Sequence, residues 1–445
     1  MITKNRGFSK CLIWFAALYP VIPAYFKIAG FSFPNLCCIT LMLFAVLYRK
    51  LSSRIKRDMV VYALLLWMTA NIVMYFYHSY FFGALWCICT VVAILIISDT
   101  INSKSLFIEI LLTIVYVSGI VCCFGVIESL TGFNVFHYLN TSGDVININP
   151  VRFGITRIVG FAYQTISYAV YLDIVACLCF YLLTLKVGVS DRQKSNVKII
   201  YGLVFINLLL TLSRSAILIF AITQIMLLWK MGMKKVLKTI FYCLILIVIA
   251  LFIISLVAPN IFHQIQNMYY MMMALFDSDY TALIQAEFGT DNLNAVGTRT
   301  DIYGWVYEKV KDCIWVGVGY KTPFSYEYDA GNIWHTMITK TAIEVEYLLT
   351  LYQSGLIGLV AEVFLFITLV VSSFLKRIKC TSWENKMSFN YLCFVIFISI
   401  VVMYFMVNKS SEQYVLNLLI ALFVAYNFKV KKEISNDYRF NGDGV

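Results

Sequence analysis

Long runs of apolar residues, separated by short connectors rich in Lys and Arg, recur along the whole chain. A bilayer core about 30 Å thick needs roughly 20 apolar residues per helix, and stretches close to that length occur about twelve times. They cover residues 11–29, 33–48, 59–77, 83–98, 105–127, 161–185, 197–211, 213–229, 236–257, 347–374, 389–407 and 414–428. Membrane β-strands would instead be about ten residues long and alternate in polarity. The sequence predicts an all-α, polytopic integral membrane protein, with residues 1–445 forming one transmembrane domain.

The distribution of Lys and Arg predicts the orientation, because positively charged loops stay in the cytoplasm. With the N-terminus inside, most of the 35 Lys and Arg fall on the cytoplasmic face. Basic clusters flank both ends of Val197–Trp229, so we interpret this segment as a hairpin with its tip at Thr211–Arg214, outside. An even number of spans returns the basic tail Lys429–Lys432 to the cytoplasm. The net charge of +11 is therefore concentrated on the predicted cytoplasmic face, which indicates contact with anionic lipid rather than with nucleic acid.

Two segments on the predicted outer side interrupt the hydropathy, Glu128–Gly160 and the much longer loop Pro259–Glu346. The aromatic and apolar content of the long loop is too high for a disordered chain. We expect it to contain two helices lying on the membrane, over Ile265–Phe288 and over Thr300–Cys313, with Thr300 or the next residue as N-cap of the second. The second predicted helix has apolar residues at helical spacing: Ile302, Trp305, Val306, Val310 and Cys313.

The sequence gives no indication of metal or cofactor chemistry. Its four histidines are scattered and form no HExxH motif. Asp277-Ser278-Asp279 looks like the DxD motif of nucleotide-sugar enzymes, but it lies on the predicted outer side, where no nucleotide sugar is expected. We predict neither a metal site nor a cofactor.

Charged residues gather on the predicted outer side, at Arg157, Arg214, Arg299, Glu344 and Glu346. Taken singly, each arginine could be an anchor that reaches the lipid headgroups, and each carboxylate could stabilise the start of a helix. Taken together, these arginines and carboxylates suit the binding of a diphosphate and the activation of a sugar hydroxyl. Arginine forks bind a diphosphate, and a carboxylate can remove a proton from a sugar hydroxyl.

The segment Thr211-Leu212-Ser213-Arg214-Ser215-Ala216 resembles the Ser-Arg hairpin of the O-antigen ligase and polymerase superfamily. Further elements of that signature follow in the same order, over roughly residues 152–360. They are Arg157–Phe161, Arg299 with Ile302 and Tyr303, Trp315–Gly319, Tyr347 with Leu348, and Gly355–Leu359.

One position separates the two activities within this superfamily. In ligases that join O-antigen to the lipid A core, a histidine precedes the tyrosine, and the corresponding residue here is Glu344. The acidic tract Glu344–Tyr347 looks more like that of Wzy-type polysaccharide polymerases. A carboxylate could also serve a ligase, so we favour a polymerase and keep the ligase as the alternative.

The resemblance implies a GT-C-like, metal-independent glycosyltransferase that uses undecaprenyl-diphosphate-linked oligosaccharide in the bacterial inner membrane, making O-antigen or capsule. A polysaccharide chain-length regulator is a candidate protein partner. Arg214 and Arg299 are expected to hold the diphosphate and stabilise the leaving group, and Glu344 or Glu346 to act as base. Arg157 is expected either to complete the diphosphate site or to contact the second lipid carrier, and His335 is expected to bind substrate.

A lipid-linked oligosaccharide flippase is the rival from another class. A flippase should place charged residues along a central cavity, whereas Asp173 is the main acidic residue deep within a predicted span. The arginine and glutamate set lies at the outer edge instead, which favours chemistry at one face.

Overall fold

The computed structural model describes residues 2–48, 58–141, 151–152, 155–232, 297–329, 337–340, 342–377, 383–385 and 387–430, with scattered single positions between residues 234 and 283. The chain divides into two compact units. The first comprises Met1–Met231 and Ile357–Val445, and the second comprises Gly232–Leu356.

Helices dominate the described residues. In the first unit they are α1 (Ile2–Leu18), α2 (Phe33–Leu47), α3 (Met59–Tyr77), α4 (Phe81–Thr100), α5 (Lys104–Thr131), α6 (Thr165–Thr184), α7 (Asp191–Leu210), α8 (Arg214–Met231), α11 (Phe389–Met403) and α12 (Glu412–Ala425). The second unit contains α9 (Gly297–Val310), and α10 (Glu346–Lys376) runs from the second unit into the first. Short antiparallel strand pairs join β1 (Lys27–Ile28) to β2 (Phe31–Ser32) and β3 (Val151–Arg152) to β4 (Ile155–Thr156).

Six helices within the described ranges are long and apolar enough to cross a membrane: α3, α4, α5, α6, α8 and α10. Shorter apolar helices occupy Gly7–Leu18, Phe33–Leu47, Phe389–Met403 and Glu412–Phe428. The predicted stretch 236–257 lies outside the described residues, apart from isolated positions, and each of the others overlaps a helix. A helical membrane protein is confirmed, whereas twelve crossings and their orientation stay predictions.

The predicted hairpin over Val197–Trp229 is present as α7 and α8. Its two helices run antiparallel, since the rings of Phe205 and Phe220 lie 5.8 Å apart, centroid to centroid, and the Tyr201 hydroxyl donates to Gln224 Oε1 at 2.9 Å. The first helix begins at Asp191, earlier than predicted.

A capping box explains this early start of α7. The backbone N–H of Gln193 donates to Ser190 Oγ at 3.3 Å, and the backbone N–H of Ser190 donates to Gln193 Oε1 at 2.8 Å. Two N–H groups that would otherwise lack helical partners are satisfied. A polar turn thereby extends the helix beyond its apolar stretch.

The first unit is built around α6, most of whose side chains are buried. Helices α5, α7, α8, α11 and α12 pack against it. At the predicted cytoplasmic end, the buried Glu384 carboxylate accepts from the hydroxyls of Tyr181 and Tyr426 at 2.7 and 2.8 Å, and from the Phe389 backbone N–H at 2.7 Å. This carboxylate ties the ends of three helices together.

The second unit has a small core of its own. Helix α9 packs on a β-hairpin, β5 (Tyr326–Asp329) paired with β6 (Met337–Lys340), and on the start of α10. The core residues are Ile302, Val306, Val310, Phe324, Tyr326, Ile343, Val345, Leu348 and Tyr352. The sequence patterns did not predict this hairpin.

Two expectations for the long loop need correction. Helix α9 begins at Gly297, so Arg299 lies within its first turn and not ahead of it, and Thr300 is not its N-cap. Its apolar face is covered by the loop's own core rather than by the membrane, and Trp305 at its flank is 40% exposed. The helix predicted over Ile265–Phe288 lies mostly outside the described residues.

Two glycines, Gly317 and Gly355, allow close backbone contact within the second unit. Gly355 interrupts α10 with a φ of 63°, and Gly317 adopts a φ of 75° against it. The Val318 N–H donates to the Tyr352 carbonyl at 2.7 Å, and the Leu356 N–H donates to the Ile314 carbonyl at 2.8 Å. The two glycine-containing motifs of the sequence are therefore one structural contact.

Replacing either glycine by alanine should destabilise the protein by about 3 kcal/mol or more. A Cβ at Gly355 would lie 2.4 Å from the Trp315 carbonyl carbon, and one at Gly317 would lie 2.6 Å from the Gly355 nitrogen. Thermal unfolding of the purified protein measures the loss. Gly304→Ala in α9 is the control, because open space surrounds that position. A Gly355→Ala protein with the wild-type Tm would contradict this account.

The predicted topology is tested by two serine-to-cysteine substitutions in a background without native cysteines. Ser325, before β5, and Ser195, in α7, are both exposed, and the charge pattern puts them on opposite sides of the membrane. An impermeant thiol reagent applied to intact cells should label Ser325→Cys, and Ser195→Cys only after permeabilisation. The reverse pattern would overturn the orientation. The hairpin tip is unsuitable for such labelling because Ser213 is buried.

Candidate functional site

The tip of the α7–α8 hairpin is a tight, buried turn. Thr211 and Ser213 are both buried, and Leu212 between them has a φ of 49°, a conformation that costs a non-glycine residue about 1–3 kcal/mol. The Ile217 N–H donates to the Ser213 carbonyl at 3.0 Å, so α8 starts here with Arg214 as its first residue. This turn places a guanidinium at a helix N-terminus, where backbone N–H groups favour an anion.

Arg157 lies against the same turn. Its Nε donates to the Thr211 carbonyl at 2.9 Å, and the backbone N–H of Ile158 donates to the Leu210 carbonyl at 3.4 Å. Burial and, second, the positive charge of Arg214 lower the pKa of Arg157 below its usual value. The structure thus brings together two of the predicted site residues, although each repels the other.

The contacts of Arg157 differ from those of a headgroup anchor. An anchoring arginine extends its flexible side chain toward the bilayer surface, whereas Arg157 is half-buried and bonded through its guanidinium to protein backbone. Two partly desolvated cations held at a helix N-terminus suit a ligand with two adjacent negative groups, such as a diphosphate.

The two candidate carboxylates lie at the start of α10 in the second unit. Glu344 precedes the helix, between the buried Ile343 and Val345, and its own side chain is half-buried. Glu346, the first residue of α10, is 5% exposed and accepts a hydrogen bond from Thr350 Oγ1 at 3.3 Å. Glu344 is therefore the more accessible of the two.

The remaining predicted residues are less fully described. Arg299 occupies the third position of α9, and only its backbone lies within the described part of the chain. His335 falls outside the described residues, between β5 and β6. Their roles stay predictions.

Acidic residues within the bundle number more than the sequence reading allowed. Asp173 is buried in α6 and accepts from Thr223 Oγ1 at 2.8 Å. Glu362, in the middle of α10, is buried as well and pairs with Lys409, whose ammonium lies 5.8 Å from the centre of the Tyr404 ring. The description of Asp173 as the main acidic residue within a span was therefore incomplete, because Glu362 lies in the middle of the predicted span 347–374.

Sequence reasoning also missed Glu128, near the end of α5. It contacts the segment that carries Arg157. A carboxylate three residues before the end of a long apolar helix is a signal for such a role, but it looked like the boundary of a span. Among the described residues, no three His, Cys, Asp or Glu side chains are grouped to hold a metal ion.

Comparison with known proteins gives one match, to the family model described as O-antigen ligase, over residues 199–363. The matched region contains the hairpin tip, α9, both candidate carboxylates and the two interlocked glycines, whereas Arg157 lies before it. No curated protein matches the chain. The match places residues 199–363 of the chain in the O-antigen ligase and polymerase superfamily.

Proposed function

We propose that the protein joins undecaprenyl-diphosphate-linked oligosaccharide repeat units into a surface polysaccharide at the outer face of the bacterial inner membrane. The observation that carries the proposal is the Arg157–Arg214 pair at the start of α8. Two arginines at the same turn suit the binding and release of a diphosphate. The family match supports a lipid-linked oligosaccharide as substrate.

The reaction is a glycosyl transfer. A hydroxyl of the acceptor repeat unit attacks the anomeric carbon of the donor chain, and the bond from that carbon to the diphosphate oxygen breaks. Arg157 and Arg214 stabilise the charge that develops on the departing undecaprenyl diphosphate. The hydroxyl proton passes to a carboxylate. Cleavage of the activated diphosphate linkage supplies the driving force, so no nucleotide and no ion gradient is consumed.

Glu344 is the proposed base. Its side chain is half-buried and therefore more accessible to a substrate than that of Glu346, which is buried. Glu346 is proposed to support the start of α10, since a carboxylate is favourable at a helix N-terminus. Arg299 and His335 are proposed to bind substrate, as the superfamily resemblance implies.

The ligase is the second candidate, because it would use the same donor and the same leaving group with a different acceptor. Glu344 at the position of the ligase histidine favours the polymerase. A flippase is less well supported: Asp173 and Glu362 have partners within the bundle, which supports a structural role for both.

Surface polysaccharide from a strain lacking the gene separates these candidates. Loss of a polymerase leaves single repeat units on the final acceptor, whereas loss of a ligase leaves long chains on the lipid carrier. Loss of a flippase leaves single lipid-linked units on the cytoplasmic side. We expect the first result, and the second would assign the ligase.

A further inference from the structure

Glu128 binds the backbone of the segment that carries Arg157. The side chain is 1% exposed, and its two oxygens accept from consecutive backbone N–H groups, Val159 at 3.0 Å and Gly160 at 2.9 Å. Hydrogen bonds to an ionised acceptor are about twice as strong as neutral ones. Glutamine could not replace this contact, because its amide nitrogen would face an N–H donor.

Other contacts fix the rest of the segment. The Asn134 amide donates to the Gly160 carbonyl at 2.8 Å, and Gly160 itself has a φ of 60°. A Cβ at Gly160 would lie 2.8 Å from the Tyr168 ring, which closes the space beneath the turn. Together with the bonds to the hairpin tip, these contacts hold the backbone from Arg157 to Gly160.

These contacts hold Arg157 close to a second positive charge. Arg157 and Arg214 carry like charges and repel each other, because Arg157 bonds the Thr211 carbonyl, three residues before Arg214. Between turnovers no diphosphate is present to offset this repulsion. A flexible segment would let Arg157 move away, and each binding event would then have to reassemble the pair at a cost in affinity.

We propose that Glu128 is a positioning residue that holds Arg157 beside Arg214 before substrate binds, by fixing the Val159–Gly160 backbone. The inference rests on the proposed function, since it takes the arginine pair as the diphosphate site. Glu128 contacts backbone rather than substrate in this account. Its effect on binding therefore passes through Arg157.

The test compares Glu128→Gln with Glu384→Gln in the full-length protein in lipid nanodiscs. Glu384 is the matched control, because it is equally buried and also accepts a backbone N–H, but it bonds Tyr181 near the end of α6, whereas the arginine segment precedes α6. Hydrogen exchange without ligand should accelerate at Val159 and Gly160 in Glu128→Gln, and at Phe389 in Glu384→Gln. Unchanged exchange at Val159 and Gly160 would overturn the proposal, whatever the enzyme catalyses.

Binding of undecaprenyl diphosphate is the second readout. Glu128→Gln should weaken it about tenfold, and Glu384→Gln less than about twofold. Equal weakening in both variants would mean that Glu128 has a merely structural role.

Adding Glu128→Gln to Arg157→Ala should weaken binding no further, and an additive loss would contradict action through Arg157. If the wild type does not bind this lipid, the proposed function fails, while hydrogen exchange still decides what Glu128 holds.

A variant that keeps the carboxylate covers the case in which Glu128→Gln does not fold. Asn134→Ala removes the bond to the Gly160 carbonyl and leaves Glu128 in place. It should raise exchange in the same segment and weaken lipid binding in the same direction. Wild-type exchange and affinity in Asn134→Ala would count against the proposal.

Discussion

Arg214→Lys should lower the rate of polymer formation about 10²-fold at matched expression, a loss of about 3 kcal/mol in transition-state stabilisation. Lysine keeps the charge but lacks the planar fork that grips a diphosphate with two parallel hydrogen bonds. Arg157→Lys should be similarly impaired, because Nε of Arg157 already bonds the Thr211 carbonyl and lysine cannot both keep this bond and reach the ligand. The rate is measured with purified lipid-linked repeat units.

Arg192→Lys is the control for these two substitutions. Arg192 is exposed in the first turn of α7, on the predicted cytoplasmic side. Lysine at this position should lower the rate less than twofold, because the interactions of an exposed charge contribute well under about 1 kcal/mol. If Arg157 and Arg214 were only lipid anchors, all three lysine variants would behave alike. Near-normal polymer length in both Arg157→Lys and Arg214→Lys would contradict the proposal that these arginines bind the diphosphate.

Glu344→Gln should abolish most of the activity, with a loss between about 10² and 10⁴ in rate, the usual contribution of a general base. Glutamine keeps the shape of the side chain and cannot accept the proton. Glu346→Gln should lower stability more than it lowers the rate, because Glu346 is buried at the start of α10. Rates at several acceptor concentrations, with thermal unfolding, distinguish the two effects.

Glu327→Gln provides the comparison within the same unit, because Glu327 lies on β5 with an exposed side chain. It should leave both rate and stability unchanged. Wild-type rates in Glu344→Gln and in Glu346→Gln together would remove the proposed base, and a large loss in Glu346→Gln alone would move the role to that residue.

The hairpin shows what the sequence can predict. Basic clusters at both ends of Val197–Trp229 required the ends to share a side, and the structure has two antiparallel helices with Arg214 directly after the turn. The prediction works because charge and hydropathy act over short stretches of chain. The capping box at Ser190 was visible in the sequence as well, yet a purely apolar criterion placed the start of α7 too late.

Contacts between distant segments explain what was missed. The bond from Glu128 to Gly160 spans 32 residues, and no local pattern around Glu128 indicates its partner. Similarly, Gly317 and Gly355 each looked like part of a separate motif, although their close approach is the reason both must be glycine. Helix α9 begins at Gly297, earlier than the predicted start at Thr300. Local signals suggested the candidate site residues, and only the fold shows that Arg157 lies against the turn that carries Arg214.

The most direct test of the central claim uses the purified protein in detergent with one substrate, undecaprenyl-diphosphate-linked repeat units, and EDTA present. Detergent removes any membrane gradient, and the single substrate leaves no acceptor for a ligase. The account predicts a ladder of products that grows by one repeat unit per step, with release of undecaprenyl diphosphate in equal number to the linkages formed. Unchanged substrate, under conditions in which an added final acceptor is glycosylated, would contradict the polymerase assignment.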